Sequence, residues 1–448
     1  MNSIRPAAVA GMFYPADART LAAEVDDLLG GATQPEPRLG FPKALVVPHA
    51  GYVYSGAVAA RAYDELTPAR GTVRRVVLLG PTHRVALRGL AAPSVEAFAT
   101  PLGPVRLDRE AIASVRELPQ VVLNDAAHAL EHSLEVQLPF LQEVLGDFAL
   151  VPFAVGAASV EQVAEVLERL WGAAETLIVV STDMSHYHSY EQARAIDGAT
   201  IERIARFATD IDHEEACGAT PLNGLLSLSR QKNLCLKLLA ACNSGDTAGG
   251  KDRVVGYSSF GLYEGGEVPL EVAGKVLLRL ARGAIEHQLL GKPRGQLDLP
   301  WLRQAGATFV TLTKNDELRG CIGSLEPARA LGEDVAQNAL AAALRDPRFP
   351  PMSAAEWPHC RVEVSLLSTP KPLRFADEAD LLAQIRAGED GLILQCEGRR
   401  ATFLPQVWED IGDKKLFLAH LLKKAGLAPD TRLTRCKVSR YGVFKWKE

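Results

Sequence analysis

Short apolar runs, such as Ala44-Leu45-Val46-Val47, alternate along the first half of the chain with stretches whose apolar residues recur every third or fourth position. The runs have the length and β-branched content of buried strands, and the stretches have the period of amphipathic helices. This pattern predicts strands over Lys43–Val47, Arg74–Leu79, Leu150–Val155, Thr176–Val180 and Leu234–Ala241, with Val254–Phe260 closing the series. It predicts helices over Thr20–Leu29, Ser55–Leu66, Val160–Trp171 and Glu191–Phe207, and a connection over Pro35–Pro42. Alternation of this kind belongs to an α/β domain.

The texture changes after Glu264-Gly265-Gly266-Glu267-Val268-Pro269, which reads as a linker between domains at 1–265 and 266–448. Beyond it come a long amphipathic helix over Leu270–Leu290, strand-like Thr308–Thr313, a helix over Ala330–Arg345 and an alternating strand over Arg361–Leu367. Gly391–Gln395 and Arg400–Phe403 read as a hairpin through Glu397-Gly398. A last helix, Lys414–Ala425, would turn Leu416, Phe417, His420, Leu421 and Leu422 inward.

At 448 residues the chain exceeds one ordinary core. Its 47% hydrophobic and 23% charged residues are those of a soluble globular protein. A net charge of −5 gives no reason to expect nucleic acid or an anionic membrane as partner. No segment is long and apolar enough to span a bilayer, and the N-terminus lacks a signal-peptide core, so the expected location is cytoplasmic. Seven cysteines (217, 235, 242, 321, 360, 396 and 436) without CxxC pairs predict free thiols. The basic C-terminal residues read as a solvated strand edge.

Chemistry gathers where the predicted strands end. His49 follows the first strand in Pro48-His49-Ala50-Gly51-Tyr52, and His83 follows the second in Gly80-Pro81-Thr82-His83. Ser181-Thr182-Asp183-Met184-Ser185-His186 follows the fourth, and Cys242 opens Cys242-Asn243-Ser244-Gly245-Asp246 after the fifth. Ligands of open α/β sheets bind at the carboxyl ends of strands. Two imidazoles and a thiolate at that edge, His49, His83 and Cys242, would hold a metal and leave positions open. Asp183 and His186 would serve as an acid/base pair. A lone strand-end histidine is more often structural, a lone cysteine more often inert, and the 181–186 cluster is also a set of helix caps. His128-Ala129-Leu130-Glu131-His132 has the inverted zincin order if helical; otherwise Glu131 and His132 belong to a polar helix end lining the pocket.

Two families are resembled. PHAGYVYSG, GPTH, EHSLEVQLPFLQ, STDMSHY and NSGD are similar to the Memo family, which shares its fold with class III extradiol dioxygenases. LRGCIGSLEP, DPRFPPM, VEVSLLSTPKPL, GLIL and the stretch from FLPQVWE to FLAHLLKKAGL are similar to the AMMECR family. Together they resemble proteins B and A of the AmmeMemoRadiSam system, fused. That resemblance implies an α/β N-terminal domain with a mostly parallel sheet flanked by helices and an α+β C-terminal domain with an antiparallel sheet. It implies His49 and His83 as metal ligands, Cys242 where Memo proteins place a cysteine, His186 as acid/base and Asp183 as its neighbour. It also implies a radical-SAM protein as partner.

A thiolate in place of the dioxygenase glutamate favours softer metals, so the expected cofactor is Fe(II) or Cu, with Zn as the alternative. The expected activity is a metal-dependent oxidoreductase on a small molecule or modified residue. The alternatives are a binding module for a peptide or other ligand, and a zinc-type hydrolase. Tyr52, Tyr54, His132 and Glu131 would contact the ligand. In the second domain Arg319 would bind an anionic or carbonyl substrate and Cys321 would be a nucleophile, unless a folding constraint on Gly320 and Gly323 explains that motif.

Overall fold

A computed structural model describes residues 3–31, 40–264, 270–294, 299–368, 370–428 and 431–448. Most of the connection read at 35–42 and of the linker read at 264–269 lies outside them. Contacts divide the described residues into two compact units, one of 3–31 and 41–264 and the other of Gly40 and 270–448.

The first unit is built on a nine-stranded mixed sheet. Its centre is four parallel strands in the order Ala44–Val47, Thr176–Ser181, Arg75–Pro81 and Ala149–Val155. These are the near-continuous apolar runs, and every residue in them but Arg75 and Ala149 is buried, as parallel strands between helical layers must be. The flanks correct the mostly parallel expectation. Leu90–Ala92 runs antiparallel to Ala149–Val155, and Val254–Tyr263 runs antiparallel to Ala44–Val47. Cys235–Asn243 and His186–His188 each pair antiparallel with Val254–Tyr263. Helices include Ala18–Gly31, Tyr52–Asp64, Val160–Arg169, Tyr190–Ala205 and Ala219–Gln231, the last not foreseen from the pattern.

A buried ion pair ties the N-terminus to the loop that follows Ala129. Arg5 Nη1 meets Glu135 Oε2 at 2.6 Å, and the same guanidinium donates to the carbonyls of His128 and Glu131. Glu135, fully buried, also accepts from Tyr14 Oη and from the backbone N–H groups of Ala8 and Val9. Every charge in this cluster is thus paired, which is the condition for burying it.

In the second unit a five-stranded antiparallel sheet runs Glu317–Gly323, Ala305–Lys314, Cys360–Leu367, Val443–Lys447, with Arg329–Ala330 pairing beside Ala305–Lys314. Leu270–Leu290 and Leu331–Leu344 bury Leu277, Ala281, Val335 and Ala339 with Val310, Leu312 and Val364 of that sheet. A four-stranded antiparallel sheet, Lys371–Leu373, Lys437–Tyr441, Gly391–Cys396 and Arg399–Phe403, packs against helix Lys414–Lys424. The hairpin turn is Glu397-Gly398, both with positive φ (52° and 76°), as a two-residue hairpin loop demands.

Two expectations fail here. Cys396 and Cys436 form a disulfide between neighbouring parts of this small sheet, so the seven cysteines are not all free. The inward face of Lys414–Lys424 is Phe417, Leu418, Leu421 and Leu422, while Leu416 and His420 face solvent. A helix whose apolar residues nearly encircle it leaves its phase to the partner surface, here Trp408 stacked on Phe417 at 3.7 Å.

Candidate metal centre

The carboxyl edge of the parallel strands carries the site. His49, His83 and His132 bring their rings together, with centroids 5.2 Å (His49–His83), 5.4 Å (His49–His132) and 4.7 Å (His83–His132) apart. One nitrogen of each lies within 4.8 Å of the others, so the three could share a metal ion. His49 is buried, and His83, with 31% of its side chain exposed, faces solvent.

Glu131 orients the outer pair. Its Oε1 accepts from His83 Nδ1 at 2.9 Å and from the backbone N–H groups of His132 and Ser133; its Oε2 accepts from the His83 N–H at 2.6 Å. A carboxylate on Nδ1 leaves the His83 lone pair on Nε2, the usual arrangement behind a metal-ligating histidine. Burial alone would push the Glu131 carboxyl up, but these donors outweigh it and hold it at about 2. Burial also holds His132 down at about 4 and His49 well below the ordinary histidine range, so both rings stay neutral. Phe13 packs on His132 at 4.9 Å.

The cysteine beside His49 is Cys217, which the local sequence pattern does not single out; its sulfur is not among the donor atoms that meet within 4.8 Å of one another. Its Sγ lies 3.3 Å from His49 Nε2 and accepts from the Asp183 N–H at 3.3 Å. Two donors bound to one ion in a tetrahedral site are about 3.5 Å apart, given bonds of roughly 2.0 Å to nitrogen and 2.3 Å to sulfur. Burial and the Asp183 carboxyl push the thiol up to about 12 when no cation is near. The next residue must be glycine: a Cβ on Gly218 would stand 2.6 Å from Thr182 Cβ and 2.7 Å from the Ser181 carbonyl.

Cys242, the expected third ligand, is not in this group. It sits on Cys235–Asn243, opposite Tyr257. That strand is separated from the His49 strand by Val254–Tyr263, a lateral offset of roughly 10 Å at about 4.8 Å per strand. Burial and nearby Asp246 push its thiol up to about 11. Strand ends share one edge of the sheet, but position along that edge is set by strand order, which the local pattern does not carry.

Asp183 is buried against the cluster, its Oδ1 accepting the His49 N–H at 2.6 Å; burial raises it to about 7. His186, half-buried on His186–His188, is held below its ordinary range by burial, with His83 acting in the same direction. Tyr257, also missed in the sequence, is buried, and burial, with the Asp183 carboxyl nearby, pushes its phenol well above the ordinary range. Tyr54 is 38% exposed at the start of Tyr52–Asp64. Tyr52 is no ligand contact: it is buried between Tyr14 and Phe140 and donates to the Val136 carbonyl at 2.8 Å. The zincin reading also fails, because the helix ends at Ala129 and His128 turns away to the Ala91 carbonyl, 2.8 Å from its Nε2.

In the second unit Arg319 is buried and ion-paired. Its Nε and Nη2 grip Glu356 at 2.7 and 3.0 Å, and Nη2 also donates to the Pro350 carbonyl. Its Nη1, also buried, has no hydrogen-bond partner, so the pairing with Glu356 does not use every donor. Cys321 is half-buried, with Thr311 Oγ1 donating to its Sγ at 3.2 Å and its N–H held by Asp346. The glycines around it are sterically required: a Cβ on Gly320 would lie 2.1 Å from the Ala342 carbonyl, and one on Gly323 2.2 Å from the Phe309 ring.

A family model described as Memo-like protein matches residues 5–261, more than half of the chain. The chain belongs to the Memo-like family. A second model, AMMECR1, matches residues 278–446, so a Memo domain and an AMMECR1 domain lie in one chain. A MEMO1 family protein of Ignicoccus hospitalis is 36% identical over 57% of this chain and 97% of its own length. That of Methanopyrus kandleri is 38% identical over the same shares. Among solved structures, an uncharacterised protein of Pyrococcus horikoshii is 37% identical, covering 39% of this chain and 91% of its own, with a TM-score of 0.36. The histidine cluster, with Cys217, lies wholly within the Memo domain.

Proposed function

We propose that the Memo domain holds iron or copper through His49, His83 and His132, with Cys217 alongside, and acts as a metal-dependent oxidoreductase on a small molecule or modified residue. The observation that carries this reading is the convergence of three imidazoles at one edge of the sheet, with the Cys217 thiol 3.3 Å from His49 Nε2. The donor set fits: imidazole suits iron, copper and zinc, and a thiolate shifts preference towards softer ions. Such an ion supplies Lewis acidity or electron transfer to a substrate bound at the sheet edge. The chain's own residues orient it and move protons. His186, neutral at pH 7, accepts a proton; Asp183, near half-protonation, donates or accepts one beside the His49 backbone. Resemblance of both domains to the AmmeMemoRadiSam system supports a separate radical-SAM protein as the working partner.

Anaerobic purification followed by iron and copper analysis of wild type and His49→Ala tests the proposal. The expected result is near-stoichiometric metal in the wild type and its loss in the variant. Equal, near-zero occupancy in both removes the reading. Metal-dependent turnover indifferent to oxygen would point to a zinc-type hydrolase, and ligand binding that survives chelation to a binding module.

A further inference from the structure

Behind His49 lies a hydrogen-bond relay in which each hydrogen has one possible position. Gln137 Nε2 lies 2.9 Å from the Pro48 carbonyl and 2.8 Å from Ser181 Oγ, while its Oε1 accepts from Tyr63 Oη at 2.8 Å. A carbonyl only accepts, so the amide nitrogen must face Pro48, and its second N–H then points at Ser181. Ser181 Oγ is also 2.6 Å from the Ser133 carbonyl, which again only accepts, so the one hydroxyl proton is spent there. What Ser181 has left for His49 Nδ1, 2.9 Å away, is a lone pair. His49 must therefore carry its proton on Nδ1 and its own lone pair on Nε2, the nitrogen beside Cys217.

We infer that Gln137 and Ser181 are positioning residues that fix the His49 tautomer, so that Nε2 meets a metal ion ready to ligate. The inference rests on the metal-site reading above. It assigns a task to two residues that touch neither the ion nor the substrate, and it explains why His49 needs no carboxylate partner of the kind His83 has in Glu131. Tyr63, Gln137, Ser181 and Ser133 are all at most 1% exposed, so water does not compete for these bonds. The opposite tautomer would leave Nδ1 and Ser181 Oγ lone pair to lone pair, or strip the Ser133 carbonyl of its donor. Either leaves a buried polar group without a partner.

Two measurements on the full-length protein test this. In the metal-free wild type, long-range nitrogen NMR of labelled histidine, with His49 identified from a His49→Gln spectrum, should place the ring proton on Nδ1. Titration with Co(II) should then give binding weakened by about 10–100-fold in Ser181→Ala and Gln137→Met, the usual cost of losing an outer partner of a ligating histidine. Ser181→Ala, which removes the acceptor facing His49 Nδ1, should also populate the second His49 tautomer in the metal-free spectrum, an effect a merely structural role would not produce. A wild-type proton on Nε2 overturns the inference whatever cobalt does. Wild-type protein that takes up no cobalt, with the proton still on Nδ1, instead overturns the metal reading and with it the purpose assigned to the relay.

Discussion

Cys217 Sγ lies 3.3 Å from His49 Nε2 although 168 residues separate them along the chain. If this thiol completes the centre, Cys217→Ser should lose the sulfur-to-metal charge-transfer absorption of the Co(II)-loaded protein and bind cobalt at least tenfold more weakly. Cys242→Ser should keep both. The reverse pattern would restore Cys242 as ligand and exclude Cys217.

The Arg5–Glu135 pair predicts a folding effect distinct from any metal effect. Removing one partner of a buried pair leaves an uncompensated charge, at a cost of about 3–5 kcal/mol. Glu135→Ala should therefore lower the thermal transition of the Memo domain sharply, and Arg5→Ala should act in the same direction. Calorimetry of the full chain, comparing the transitions of the two units, measures this. An unshifted Memo transition would show the pair to be dispensable.

His128 predicts a pH dependence. Burial holds its imidazole at about 4, against an ordinary value of 6.5, so the folded form binds fewer protons than the unfolded one between these values. The folded value is depressed, so this contribution is whole above pH 6.5 and is lost as pH falls towards 4, up to about 3 kcal/mol. His128→Gln should flatten the acid limb of the stability curve, measured by urea unfolding between pH 4 and 7. An unchanged slope would mean that the ring already titrates normally.

Two glycines of the second unit separate conformation from contact. Gly398 has φ +76° and open space around a Cβ, so Gly398→Ala costs only the left-handed conformation, roughly 1–2 kcal/mol. Gly320 has ordinary φ, but its Cβ would collide with the Ala342 carbonyl at 2.1 Å, so Gly320→Ala must part the sheet from helix Leu331–Leu344. That substitution should cost more than Gly398→Ala, at least 3 kcal/mol by denaturant unfolding, at the upper end of overpacking penalties. Cys321→Ser should leave stability nearly unchanged.

Much of the strand framework was legible because it is written locally. Buried parallel strands need unbroken apolar runs, and Ala44–Val47, Arg75–Pro81, Ala149–Val155 and Thr176–Ser181 supply them. His49, His83, Asp183 and His186 follow those runs, so their common edge could be read from the chain. The helix phase at Leu416 and His420 was not legible, since a nearly all-round apolar pattern does not say which side the rest of the unit covers.

By itself, the sequence determined which residues end the strands and therefore on which rim of the sheet the chemistry would lie, because alternation and strand direction are properties of neighbouring residues. Only the tertiary structure decided who meets there. Lateral order in a sheet is set by pairing between distant segments, and that order sets Cys242 two strands away from His49. It also brings in His132 from the loop held by Arg5, and Cys217 from the turn that Gly218 lets pass beside Thr182.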